Sequence, residues 1–171
     1  MEIPNENKIG IDIEPEHSLI IKQDFFTYLP SEEKKNILTI GNPPFGKVGS
    51  LAVKFFNHAA KFSNVIAFIV PRSFRKIAIQ NRLDLNFYLV YDDIIPINPC
   101  SFHPEMKVKC CFQIWERKNI LRKQIKTSLI HNDWDFVHYN NIKNADFAIR
   151  AYGGHCGDIV CTDLDKLNHK G

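Results

Sequence analysis

Three observations predict an open, mostly parallel α/β sheet with helices on both faces. Short apolar runs alternate with segments of helical spacing, one run is apolar without a break, and acids or a proline break stand where the runs stop. "KIGIDIEP" reads as a strand stopped by Pro15. "EHSLIIKQDFFTYLP" gives a helical turn and a second short strand ending near Asp24. "NILTIGNPPF" is a third strand with an abrupt end. From Ser50 to Phe62 the residues Leu51, Val53, Phe55, Phe56, Ala59, Ala60 and Phe62 recur at helical spacing. "NVIAFIVPRSF" is then a buried strand, "RKIAIQNRLDLN" a helix, and "FYLVYDDIIPI" and "KVKCCFQIWER" two further strands. In such sheets ligands bind at the carboxyl ends of the strands, where Asp12, Asp24 and Asn42 to Phe45 lie.

Composition limits the class. With 171 residues, 44% hydrophobic and 24% charged, the chain fits ordinary globular structure and not a disordered tail. A net charge of +3 is mildly basic, short of a dedicated nucleic-acid coat. No apolar run approaches the roughly 20 residues of a membrane span, and "MEIPNENK" lacks the layout of a secretory signal, so a cytoplasmic protein is expected. The five cysteines are odd in number and without a CxxC pair, which suits free thiols better than disulfides or zinc, and no metal is expected.

The end of the third strand is the most informative stretch. Pro43 and Pro44 force extended backbone and bar Asn42 from the helical region, so the segment is stiff and fixes where its carbonyls point. The prolines supply no amide hydrogen. The Asn42 side-chain oxygen and the Pro43 carbonyl are therefore expected to accept the two hydrogens of one bound NH2 group. Phe45 offers a ring face for stacking beside them, and Gly46 lets the chain turn away.

Asn42-Pro43-Pro44-Phe45 resembles the Asn-Pro-Pro-aromatic motif of class I S-adenosylmethionine-dependent amino-methyltransferases, most familiar in DNA adenine methyltransferases. "IGIDIEP" is similar to the family's second-strand end and "QDFF" to its third-strand end. The resemblance covers roughly residues 8 to 117, in family order. It implies a Rossmann-like fold, S-adenosylmethionine as cofactor, and a nucleic-acid partner, DNA before RNA. It also implies roles: Asp12 for the cofactor's ribose hydroxyls, Asp24 for its adenine amine, Phe25 against its ring, and Asn42, Pro43, Pro44 and Phe45 at the reacting amine. Acceptors on both amine hydrogens favour the tetrahedral nitrogen that forms during attack, which is differential stabilisation of the transition state. A base in a duplex would have to be flipped out, at about a few kcal/mol.

Arg72, Arg75 and Lys76 follow the apolar run at a rim where a substrate backbone could pass, and with Phe45 they are the expected substrate contacts. From Lys107 to Lys126 seven basic residues accompany one acid, Glu116, which reads more readily as a solvated edge and linker. His103 and Pro104 lie in a loop with no assigned chemistry. Phe26 is expected in the core.

Ahead of Asp12 stand eleven residues with Gly10 as their sole glycine, too few for the family's first strand, glycine turn and first helix. Residues 1–130 are thus expected to form a partial catalytic domain, as a fragment, a mis-started or decayed copy, or one part of a split enzyme whose second polypeptide supplies the glycine-loop segment, and 131–171 to begin a substrate-side extension. Gly153, Gly154 and Gly157 mark a loop there. The competing expectation is a non-catalytic module that binds nucleic acid or completes a partner.

Overall fold

The computed structural model describes residues 8–31, 36–126, 128, 130–151 and 154–164; Gly153 lies outside the described residues. In chain order, β1 (Gly10–Asp12) pairs in parallel with β2 (Ile20–Lys22), placing Asp12 opposite Lys22. A single 3-10 turn over Phe25–Thr27 follows, capped by Asp24. Then come β3 (Leu38–Gly41), α1 (Ser50–Ala59), β4 (Val65–Pro71), a 3-10 turn at Arg72–Arg75, α2 (Ile77–Gln80), β5 (Phe87–Ile94) and β6 (Cys110–Arg117).

The four longer-range strands form one sheet in the order β3-β4-β6-β5. β3 and β4 are parallel, whereas β6 runs antiparallel to both β4 and β5. This corrects the expected mostly parallel sheet. The molecule is mixed α/β with a mixed sheet, because β5 and β6 are joined without a helix and antiparallel neighbours need no crossover. β1 and β2 stand as a separate pair.

One face of the sheet carries the core. Strand alternation aims Ile66, Phe68 and Val70 of β4 to the same side as their β6 partners Trp115, Gln113 and Cys111. Ala52, Val53, Phe56 and Ala59 of α1 close over them, with Ile79 of α2 and Leu83 beyond. Phe56 is fully buried and meets Phe68, Phe87 and Trp115 edge-on at 5.4 to 6.4 Å. Gln113, buried among apolar groups, accepts from Trp115 Nε1 (3.1 Å) and donates to Asp92 Oδ1 (3.1 Å), so both ends of its amide are satisfied.

The opposite face presents Leu38, Ile40 and Tyr91, 48%, 69% and 48% exposed. Helices on both faces are therefore not what the described residues form: α1 and α2 both serve the one core. The expected helix over 75–86 is cut to the four residues of α2. Asn81, Asp84 and Asn86 divert their side chains to backbone groups, Asp84 Oδ1 accepting from Asn86 N at 2.9 Å and Asn81 Nδ2 donating to the Ile125 carbonyl at 2.8 Å. Among the described residues no helix is long and apolar enough to cross a membrane.

Contacts divide the chain into two compact units, Met1–Ile125 and Lys126–Gly171. In the second, β7 (Ala148–Ile149) and β8 (Ile159–Val160) form a short antiparallel pair around the His155 loop. His155 Nδ1 lies 3.1 Å from Asp158 Oδ2, and Trp134 stacks on His131 at 5.4 Å.

Candidate functional site

β3 delivers Asn42 to the end of the sheet, and its register is pinned at the other end. Ile37 N donates to Asn64 Oδ1 (2.9 Å), Asn64 N to the Ile37 carbonyl (2.8 Å), and Thr39 and Ser63 share a hydroxyl hydrogen bond of 2.6 Å. Beyond Gly41 the extended Asn-Pro-Pro segment leaves the strand. Pro43 is buried and Asn42 exposed. Among the described residues neither the Asn42 side chain nor the Pro43 carbonyl has a hydrogen-bond partner. The Phe45 carbonyl, by contrast, is used: it accepts from Leu51 N (3.2 Å) and Ala52 N (3.4 Å) and so satisfies the first amides of α1.

The return from Phe45 into α1 is tight. Gly46 has φ 65°, Val48 φ 53° and Gly49 φ 73°, three left-handed residues in four. For a β-branched residue such as Val48 this is a true outlier, held by the surrounding glycines and the Phe45 caps. A Cβ on Gly46 would meet Leu51 Cβ at 2.7 Å, so only glycine fits there.

Facing this segment is the loop 95–109, which joins Ile94 to Cys110. Asn42, Pro43, Pro44 and Phe45 line one side of a cavity of about 200 Å³; Phe102, Met106, Val108 and Cys110 line the other. The loop bonds to itself, Val108 N donating to the Met106 carbonyl (3.0 Å) and Ser101 Oγ to the Pro96 carbonyl (3.2 Å). Drug-sized ligands need about 300 Å³ or more, so this cavity suits a single planar ring. Its lining is mostly apolar and includes Asn42 and Pro43, whose acceptors are unpaired among the described residues, a combination suited to a planar ring that carries an N–H.

Sequence reasoning assigned nothing to Phe102, Met106 or Val108. A signal existed: fifteen residues between Ile94 and Cys110 without secondary structure are long for a connection inside a domain, and such loops are commonly functional. Cys110 closes the cavity as a neutral thiol. Burial raises its pKa, and the nearby Arg72 charge lowers it by less.

Asp12 is the last residue of β1, opposite Lys22, and Asp24 lies two residues beyond β2 as the cap of the Phe25–Thr27 turn. Each is exposed and spends one carboxylate oxygen locally: Asp12 Oδ1 accepts from Glu14 N (2.8 Å), and Asp24 Oδ1 accepts from Phe26 N (2.9 Å) as the cap of its turn. The second oxygen of each has no partner among the described residues. Phe25 stacks face to face on Phe55 at 5.2 Å and packs against the core, while Phe26 is 37% exposed. The core role expected for Phe26 thus belongs to Phe25.

The basic groups separate by their partners. Arg75 Nε is held by Asp92 Oδ2 at 2.8 Å. Arg117 bonds the Ala60 and Ser63 carbonyls and lies over the Phe87 ring, and Arg122 bonds the Phe87 and Gln80 carbonyls. These three are bound into the fold. Among the described residues Arg72 has no such acceptor, and Lys76 is exposed. Comparison with protein-family models, curated proteins and solved structures finds no match to this chain.

Proposed function

We propose that the chain carries the substrate half of an S-adenosylmethionine-dependent methyltransferase acting on an exocyclic amino group of a nucleic-acid base, adenine in DNA being the preferred substrate. The observation that carries the reading is the cavity lined by Asn42, Pro43 and Phe45, with the Asn42 side chain and the Pro43 carbonyl unpaired among the described residues. Bound between Phe45 and the Phe102–Val108 wall, a base would present its NH2 to both acceptors. Hydrogen bonds from both hydrogens bias the nitrogen toward the tetrahedral geometry of attack and release its lone pair from the ring. Asn42 polarises and positions; it forms no covalent bond.

The free carboxylate oxygens of Asp12 and Asp24 fit the hydroxyl and amine donors of S-adenosylmethionine, which when bound would supply the methyl group. The rest of that site calls for a glycine-turn segment besides the residues described. The test is methyl transfer to an adenine-containing oligonucleotide by the chain together with such a segment. Asn42→Ala should reduce the rate by about 100-fold or more, the usual scale for losing one transition-state hydrogen bond. An unchanged rate would reject the role of Asn42.

A second reading has its own support. Asp12 and Asp24 each already bond a local amide and Phe25 is stacked on Phe55, as in a module that binds nucleic acid without transferring anything. Retained oligonucleotide binding with no measurable cofactor binding, even after completion, would favour this reading over the first.

A further inference from the structure

Arg72 is the first residue after β4, and its amide donates to the Lys109 carbonyl at 3.1 Å, which holds it near Cys110, a residue that lines the cavity, while Arg72 itself stands outside the lining. Arg72 is half-buried, and its Nε is buried with no hydrogen-bond partner among the described residues. No carboxylate pairs with it there either, although Arg75, three residues on, has Asp92. A buried, unpaired donor on a charged group is unfavourable unless something outside the protein compensates it. The guanidinium is suited to one class of compensator, an oxyanion that can accept two parallel N–H bonds.

We propose that Arg72 is an anion subsite that binds the phosphodiester flanking the base held in the cavity. The proposal rests on the reading of that cavity as a base pocket and adds the group that reads the backbone beside it. Arg75, locked to Asp92, positions the turn that carries Arg72 and does not itself take the phosphate. Arg72 therefore supplies register: it fixes how far the nucleotide enters, and the Asn42 and Pro43 acceptors then meet the amine.

The test is binding of a fluorescent single-stranded oligothymidylate bearing one central adenine, measured against salt. Arg72→Gln should weaken binding about tenfold or more at low salt and lower the slope of log K against log salt by about 0.7, one phosphate contact on a single strand. Arg72→Lys should keep the slope. Asn42→Ala should weaken binding while leaving the slope at its wild-type value. Since Arg72 has no acceptor among the described residues, Arg72→Gln should also melt no lower than wild type. An unchanged slope in Arg72→Gln, or a clearly lowered melting point, overturns the subsite. A lowered slope with no dependence on adenine or on Asn42 rejects the base pocket and with it the register role. Absence of binding in the wild type overturns both.

Discussion

Replacing Gly46 by alanine tests whether the loop after β3 is held by backbone geometry. Gly46 has φ 65° and ψ −177°, a region open essentially to glycine alone. Occupying it with alanine costs on the order of 1–3 kcal/mol. The new Cβ would also stand 2.7 Å from Leu51 Cβ and 3.1 Å from Leu51 N, so relief requires moving the first turn of α1. Crowding of that kind adds about 1–3 kcal/mol. We expect a total loss of about 2–6 kcal/mol, or a fall in melting temperature of about 4–24 °C for a chain of this size. Gly154→Ala is the control, because a Cβ there meets nothing within 4 Å. Urea unfolding of the three proteins gives the comparison directly. A Gly46→Ala protein within about 0.5 kcal/mol of wild type, the range of ordinary surface changes, would refute the account of the loop.

Other outcomes follow from the same geometry. Asn42→Ala should leave stability within about 0.5 kcal/mol, since the side chain is exposed and makes no hydrogen bond among the described residues; a larger loss by urea titration would mean that Asn42 serves the fold. Phe56→Ala should cost about 3–5 kcal/mol by the same titration, because its fully buried ring joins α1 to β4, β5 and β6. Burial and the neighbouring Asp92 charge push the Cys111 thiol up to about 11, so it stays neutral in the fold while the unfolded chain releases its proton earlier. Its contribution to stability is complete below the ordinary thiol value of about 8.5 and should be lost as pH rises toward about 11. Cys111→Ser, read by melting temperature across that range, should lessen the alkaline decline. In thiol labelling at pH 8 the exposed Cys156 and Cys161 should react well before the buried Cys111.

The strands of this protein were legible from local pattern. The run from Val65 to Val70 could hardly be anything but a central strand, and the 50–62 spacing put Phe56 and Ala59 on the buried side of α1. Pairing was not legible. Placing β6 between β4 and β5 joins residues far apart in sequence, such as Ile66 with Trp115, and no local propensity records that choice. The length of α2 was misread because apolar spacing over 75–86 is overruled by Asn81, Asp84 and Asn86, whose side chains capture backbone groups. For the site, proline chemistry announced the free acceptors of Asn42 and Pro43, since it is a property of neighbouring residues. The facing wall, Phe102, Met106 and Val108, comes from a loop whose fold depends on its own internal bonds, and only its length hinted at a role.

The central claim is that Asn42 and Pro43 receive the two hydrogens of a base's amino group. The most direct measurement compares binding of two single-stranded oligonucleotides that differ at one position, adenine in one and purine, with hydrogen in place of the amino group, in the other. Losing the amine leaves both acceptors unmet, so the wild-type chain should bind the purine strand about tenfold more weakly, and Asn42→Ala should largely erase the difference. Equal affinity of the wild-type chain for both strands would contradict the claim.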